Sequence, residues 1–465
     1  MVQRPGCSLP TQVQHPADYQ GLLRLARHPK VTHQSVLYRH RQRTLELARH
    51  HPGTVLFLND ITELDYSSKK SLTELGQIGD GRGRGYECFN CLAVDGDSGR
   101  PLGLANQILH RRARVPRGET VAAKRARQSR ESLLWVKSTA AVHQDSEAFG
   151  PPPEGHRAID VCDRGADDFQ FLDAEDKAQQ TYVVRSTHNR RIYVGHADPT
   201  QEARLHDYLR TLAERGRRSV PVSAQPARPA TKRKPARAAQ PARTATVALS
   251  WAAVQVRRPH VRRGEYRNEP LPVWAVRVWE PEPPPGVEPL EWILLSNGPV
   301  ASWDDACAVQ RWYEYRWLIE DFHKAQKTGC AIEKPQFTKE ARLQPVIALL
   351  SVIAVRLLLL RWLSRDEDLQ ALPAVKVVPA VYVAVLSVSE GQGRRLDMTV
   401  GEFFLGLAQL GGYGYYHPKH PPGWWVLWRG WGQLCSRVEY AVASGAETWD
   451  TTDDLPHTDF RSPDG

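Results

Sequence analysis

Sulphur is scarce in this chain, with two methionines and seven cysteines among 465 residues. The cysteines, at 7, 88, 91, 162, 307, 330 and 435, are odd in number and scattered. That excludes a dense disulfide framework and fits a reducing cytoplasm. Cys88-Phe-Asn-Cys91 is a lone CxxC inside a strand-like run, with no second pair at zinc spacing, so two core-packed thiols are expected rather than a metal site. Long apolar runs are also missing. The first residues contain none, so no secretory signal is expected. The longest, Val346 to Leu363, is interrupted by Arg356 and Arg361 and reads as a buried helix rather than a bilayer span. The chain contains no internal repeat. Acid is in deficit: 52 Asp and Glu against 62 Lys and Arg leave a net charge of +10, a balance that favours a polyanionic partner.

What is present divides into stretches of distinct texture. Residues 1–50 read as basic helices, in LLRLARHP and VLYRHRQRTLELARHH. Residues 51–189 alternate short apolar strands with helices. The strands are GTVLFLND at 53–60, a hairpin over 85–109, RAIDVCD at 157–163 and TYVVRS at 181–186; the helical stretches are 118–145 and DDFQFLDAEDKAQQ. That order predicts the α/β class, a mixed-sheet core with helices on the sheet. Residues 190–298 read as a β-rich insertion around a Pro/Ala/Lys/Arg-rich loop at 218–244, whose prolines exclude helix and central strand. Residues 299–339 return to helix, with Ser302 or Asp304 as its N-cap. Residues 340–445 read as largely helical, interrupted by GGYGYYHPKHPPG. Residues 446–465 set Glu447, Asp450, Asp453, Asp454, Asp459 and Asp464 against Arg461 alone, the composition of a disordered acidic tail.

The most informative stretch is YEYRWLIEDFHKAQK. Tyr313, Arg316, Glu320, Lys324 and Lys327 are spaced 3, 4, 4 and 3 apart, which places all five on one face of an α-helix. One carboxylate among three cations and a phenol suits a divalent metal and a phosphate backbone. The plain alternative is a solvated face held by i,i+4 ion pairs, but Trp312, Trp317, Leu318, Ile319, Phe322 and Ala325 leave little of the helix for water. Two aspartates stand at strand ends, Asp60 after LFLN and Asp163 after AIDVC. Singly, each reads as a turn or N-cap residue. Converging with Glu320, the three would call for a divalent cation. Two Mg²⁺ ions about 3.5–4 Å apart would activate a water or 3′-hydroxyl and stabilise the leaving oxygen.

Tyr-(2)-Arg-(3)-Glu-(6)-Lys resembles the signature of the insertion sequence 4 family of DDE transposases, matched here by Tyr313, Arg316, Glu320 and Lys327. RWLIEDFHKAQKTG is especially similar to the transposon five group of that family. VCDRGAD resembles its Asp-Arg-Glu-Ala-Asp run, with Gly165 in place of the Glu, and NDITELDY resembles its first-Asp segment. ESLLWVKSTAAVH, YVVRS, PLEWILLSNGPV and WWVLWRGW also look like segments of it, in the same order, over most of residues 15–445.

The resemblance implies a ribonuclease H-like core in which Asp60, Asp163 and Glu320 form the catalytic, metal-binding triad for two Mg²⁺, with Mn²⁺ able to substitute. It implies that Tyr313, Arg316 and Lys324 or Lys327 contact phosphates of a transposon end, that Trp292 stacks on a flipped base, and that Arg185 and Trp317 support that strand. Flipping a base costs a few kcal/mol, and an aromatic platform returns about 1–3 kcal/mol. Without the resemblance, Trp292 reads as a core residue of a strand. The implied reaction is cut-and-paste transposition: water attacks at the element's 3′ end, the freed 3′-hydroxyl forms a hairpin, a second water opens it, and the end joins target DNA. The implied partners are double-stranded DNA with terminal inverted repeats, target DNA and a second copy of the chain, dimerised through the helical C-terminal region, with no membrane, at the nucleoid in a bacterial cytoplasm. The stretch before Asp60 is short for this group, so residues 1–50 are expected to hold a shortened DNA-binding region. The alternative that follows is a catalytically inactive relative that binds DNA, dimerises and inhibits.

Overall fold

The short apolar runs assemble into one mixed sheet. The computed structural model describes residues 8–13, 15–113, 131–197, 200–222, 238–259, 267–414 and 422–444, with isolated positions between these segments. The expected acidic tail, part of the Pro/Ala-rich loop and part of GGYGYYHPKHPPG lie outside the described residues. The strands are β1 (Thr54–Asp65), β2 (Gly76–Ile78), β3 (Gly83–Asp95), β4 (Pro101–His110), β5 (Arg157–Cys162), β6 (Thr181–Arg185), β7 (Arg191–Val194), β8 (Glu202–Arg204), β9 (Gly216–Val222), β10 (Arg243–Val256), β11 (Leu271–Trp279) and β12 (Glu291–Ser296). Their order is β2-β3-β1-β5-β6-β12-β11-β10-β7-β8, with β4 on β3 and β9 on β10. β5 runs parallel to β1 and β6 parallel to β5, whereas β3 is antiparallel to β1 and β12 antiparallel to β6. The β-rich stretch 190–298 therefore continues the core sheet by direct hydrogen bonding. The class is mixed α/β, a large mixed sheet with helices.

Helices cover this sheet because its central strands are apolar on both faces, so each face needs a cover. The helices before β1 are α1 (Leu9–Gln12), α2 (Pro16–Arg27) and α3 (His33–Arg49). α3 starts at a capping box on Thr32, and its Leu45 and Ala48 pack with Val55, Phe57, Cys91 and Ala93. α3 is thus a core helix. The next are α4 (Ser132–Ser146), α5 (Phe169–Lys177) and α6 (Leu205–Thr211). Leu134 and Trp135 of α4 and Phe171 and Leu172 of α5 pack with Phe89, Tyr182 and Val184. Cys88 and Cys91 are fully buried in separate core clusters, as their odd spacing along β3 requires.

The last third begins with α7 (Trp303–Glu314), capped by Ser302, and α8 (Trp317–Lys324). It continues with α9 (Glu340–Leu363), α10 (Glu367–Gln370), α11 (Ala380–Ser389), α12 (Val400–Leu410) and α13 (Trp424–Ala443). Among the described residues α9 is the one helix long and apolar enough to cross a membrane, and 72% of its most apolar window is buried inside the protein. Arg361 near its end pairs with Asp321. α12 and α13 cross at two glycines: a Cβ on Gly430 would stand 1.8 Å from the Leu407 carbonyl oxygen, and one on Gly411 1.9 Å from that of Val426.

Candidate acidic site

β1 does not end at Asp60. It runs on to Asp65 because β3 pairs with it throughout, Asp60 lying opposite Asn90 and Asp65 opposite Gly85. What ends here is its other neighbour. The parallel register with β5 closes at Asn59 opposite Cys162. Asp60 and Asp163 are therefore the next residues on adjacent parallel strands, side by side where their pairing stops. Asp163 then caps a 3-10 turn, Arg164–Ala166, and its Oδ1 accepts a hydrogen bond from the Gly165 amide at 2.7 Å. A Cβ at Gly165 would meet the Trp135 ring at 2.8 Å and Asp163 Oδ1 at 3.0 Å. Position 165 is thus closed to a side chain unless Trp135 moves.

The third carboxylate comes from a helix that is not continuous. The spacing of Tyr313, Arg316, Glu320, Lys324 and Lys327 predicted one helical face. Instead α7 stops at Glu314 and α8 starts at Trp317. Between them the amides of Arg316, Leu318 and Ile319 bond three residues back rather than four. Tyr315 anchors the junction: its hydroxyl donates to the Asp97 carbonyl at 2.8 Å, and its ring lies where a Cβ on Gly99 would reach within 2.5 Å. After Lys324 the helix widens into a π turn, Ala325–Gly329. The five residues consequently occupy three kinds of backbone. Tyr313 is buried on α7; Arg316 lies at the junction; Glu320 and Lys324 lie on α8; and Lys327 lies in the π turn.

Arg316 ties the site together. Its Nη1 lies 3.2 Å from Asp60 Oδ2, and its Nη2 pairs with Glu320 one turn on. The i,i+4 ion pair of the plain reading exists, with Arg316 largely buried against Asp60 and Glu320 half exposed. Burial pushes the Asp60 carboxyl up to about 7, the charge of Asp163 adds to this, Arg316 and the Ile61 amide oppose it, and Glu320 adds to it again. Burial works to lower Arg316. Tyr313, Glu320, Asp60 and Asp163 more than reverse that and hold it above its ordinary value. Asp60 therefore senses both other carboxylates across a single guanidinium.

A phenol and an indole adjoin this cluster. β12 brings Trp292 beside Tyr313, ring centroids 5.5 Å apart and edge-on. Arg185 at the end of β6 hydrogen-bonds Tyr313 and donates to the Glu291 carbonyl at 3.2 Å. Asp60, Asp163, Glu320, Arg316, Tyr313, Arg185 and Trp292 thus form one neighbourhood. Trp317, Lys324 and Lys327 make their contacts elsewhere. Trp317 is 47% exposed and lies under the Arg361 guanidinium, in a cavity of about 460 Å³ with Leu358, Trp362 and Arg365. Lys324 donates to Asp321 at 3.1 Å. The charge of Lys327 bears on Asp65, Cys88 and His323.

Two features escaped sequence reasoning. The first is a buried polar chain behind Glu320. His323 Nε2 meets Asn90 Nδ2 at 3.1 Å; Gln107 donates to Asn90 at 2.7 Å and to Ser351 at 3.0 Å; Gln326 donates to the same Ser351 at 2.9 Å; and His33 contacts Gln107 at 2.9 Å. This chain ties α3, β3, β4, α8, the π turn and α9 into one register. Burial drives the His323 imidazole down to about 3, with Lys327 and Arg316 adding to the shift, so the ring is neutral. Its one sequence signal is that Asn90 faces Asp60 across the hairpin while His323 follows Glu320 by three.

The second is a group on the other side of β5. His143 Nε2 lies 2.6 Å from Asp160 Oδ2, and Glu175 stands close enough that one ligand atom from each of the three falls within 4.8 Å of the others. Burial pushes Glu175 up to about 8, and Asp160 adds to this. A group of this composition and size can hold a metal ion.

No family model matches the chain.

Proposed function

We propose that the chain is a cut-and-paste DNA transposase of the insertion sequence 4 family, cleaving and joining DNA strands with Mg²⁺ at Asp60, Asp163 and Glu320. The observation that carries this is that Asp60 on β1 and Glu320 on α8 both pair with Arg316, while Asp163 stands beside Asp60 where β1 and β5 stop pairing. Strands β4-β3-β1 form an antiparallel meander that β5 and β6 extend in parallel to β1, which supports a ribonuclease H-like reading of the core.

An all-oxygen donor set containing a buried carboxylate in need of a counter-charge fits a hard divalent cation. Asp60, Asp163 and Glu320 would hold it, and when bound it supplies charge neutralisation and an activated oxygen nucleophile. The chain's own groups do the positioning. Arg316 presents a guanidinium at the carboxylates, where a phosphate would lie. Arg185 fixes the Tyr313 hydroxyl, and Trp292 offers an aromatic surface beside it for an unstacked base. In each step a bond forms from the attacking oxygen to phosphorus as the bond to the leaving oxygen breaks. The helices from α9 onward are the proposed dimerisation region.

The test uses purified protein, Mg²⁺ and the DNA that flanks its gene. Wild type is expected to nick the element ends. Glu320→Ala is expected to lose cleavage by roughly 10³-fold or more while shifting DNA in a gel within a few-fold of wild type. Nicking that survives in Glu320→Ala removes Glu320 from the chemistry. Wild type that binds but never nicks supports the inhibitor reading instead.

A further inference from the structure

We propose that His143, Asp160 and Glu175 form a structural site for a first-row divalent transition ion, Zn²⁺ foremost, which clamps α4 and α5 to β5. This is separate from the acidic site and asks for a different ion. The two carboxylates are already held from behind. Asn59 Nδ2 donates to Asp160 Oδ1 at 2.9 Å, and Thr139 Oγ1 donates to Glu175 Oε1 at 2.6 Å. That leaves Asp160 Oδ2, which meets His143 Nε2, and Glu175 Oε2. Glu175 is 3% exposed, and its Oε2 has no hydrogen-bond partner. A buried carboxylate oxygen without a partner is costly and points to a missing cation. The imidazole is oriented by Phe57, packed edge-on at 5.6 Å. Outer hydrogen bonds hold one oxygen of each carboxylate, the second oxygen of Asp160 meets the imidazole, and that of Glu175 is left without a partner, an arrangement suited to a bound metal.

The donor set selects the ion. One imidazole nitrogen and two carboxylate oxygens suit zinc and its neighbours, whereas Mg²⁺ and Ca²⁺ favour oxygen alone. Two carboxylates and a neutral imidazole balance a dication. Metal–ligand bonds of about 2.0–2.2 Å require His143 Nε2 to give up its proton and part from Asp160 Oδ2 by less than about 1 Å. That proton, and the one that the buried Glu175 carboxyl holds at neutral pH, go to solvent as the ion binds. His143 also lines a cavity of about 80 Å³, with Arg49, Phe57, His156 and Ala158, which brings solvent-sized space up to the ring.

The experiment uses the full chain carrying Asp60→Asn, Asp163→Asn and Glu320→Gln, so that the acidic site contributes no binding. The protein is stripped with chelator, dialysed against Zn²⁺, gel-filtered and assayed for metal. One retained equivalent and a zinc-dependent rise in Tm are expected. Glu175→Gln, which keeps the shape and the Thr139 bond, and His143→Asn are each expected to weaken zinc by about 100-fold or more and abolish the Tm rise. Circular dichroism reports folding, so a variant that fails to fold leaves the other to decide. Co²⁺ substitution is expected to give a visible absorption band that both variants lose. Zinc retained undiminished in folded Glu175→Gln and His143→Asn overturns the site, as does a folded parent that retains none.

Discussion

Arg316 and His323 show how single side chains set the terms of this site. Arg316 is the cation that permits Asp60 and Glu320 to stand together, so its loss leaves the largely buried Asp60 without its partner and next to a second carboxylate. His323 is the reverse case, a titratable ring kept uncharged. Its folded value of about 3 lies below the ordinary 6.5, so the unfolded chain takes up a proton that the folded protein refuses. Its contribution is complete above pH 6.5 and is lost as pH falls from there towards 3, at up to about 1.4 kcal/mol per pH unit. Urea midpoints recorded between pH 7 and 4 should therefore fall less steeply in His323→Gln than in wild type. Equal slopes would clear His323 of the effect. Gly165 offers another single-residue test. With 2.8 Å between a new Cβ and the Trp135 ring, Gly165→Ala should cost about 1–3 kcal/mol and shift Trp fluorescence. A variant of unchanged stability would show that Trp135 moves freely.

At the scale of elements, the legible parts were those that local chemistry dictates. Apolar runs announced β1, β5 and β6, and Ser302 announced α7. The end of β1 was misread because Asp60, Thr62 and Glu63 are half-buried, and their polarity imitates a loop while β3 still pairs with them. The 3, 4, 4, 3 spacing announced helix, yet neither proline nor glycine marks the break at Tyr315. That break is imposed from outside by the Asp97–Gly99 turn, which no periodicity can reveal. Asp60 and Asp163 were singled out because each follows an apolar run, and Glu320 because it belongs to a charged helical spacing. His143, Asp160 and Glu175 went unnoticed because they come from three elements with no shared motif. The crossing of α12 and α13 makes its own prediction. Gly430→Ala forces a methyl against a backbone oxygen rather than a flexible side chain, so it should lower stability by about 1–3 kcal/mol, read as a fall in Tm. An unchanged Tm would mean that the helices can part without penalty.

For the molecule as a whole, the pairing of β12 with β6 decides its cohesion. The stretch 190–298 looked like an inserted unit, but its strands share one hydrogen-bonded ladder with the strands that carry the acidic site. Urea unfolding followed by far-UV circular dichroism and by Trp fluorescence should therefore give coincident transitions. Two separated transitions would mean that the β-rich stretch melts by itself. Such cohesion also orders events in time. The contact between Asp60 and Arg316 closes a span of 256 residues. A ribosome delivers the first two carboxylates long before the third, at about 5–20 residues per second. A growing chain, or one broken off before Glu320, can pair β1 with β5 and still lack the helix that completes the trio. The protein is thus born without its acidic site, and acquires it only when synthesis has passed the last of the sheet.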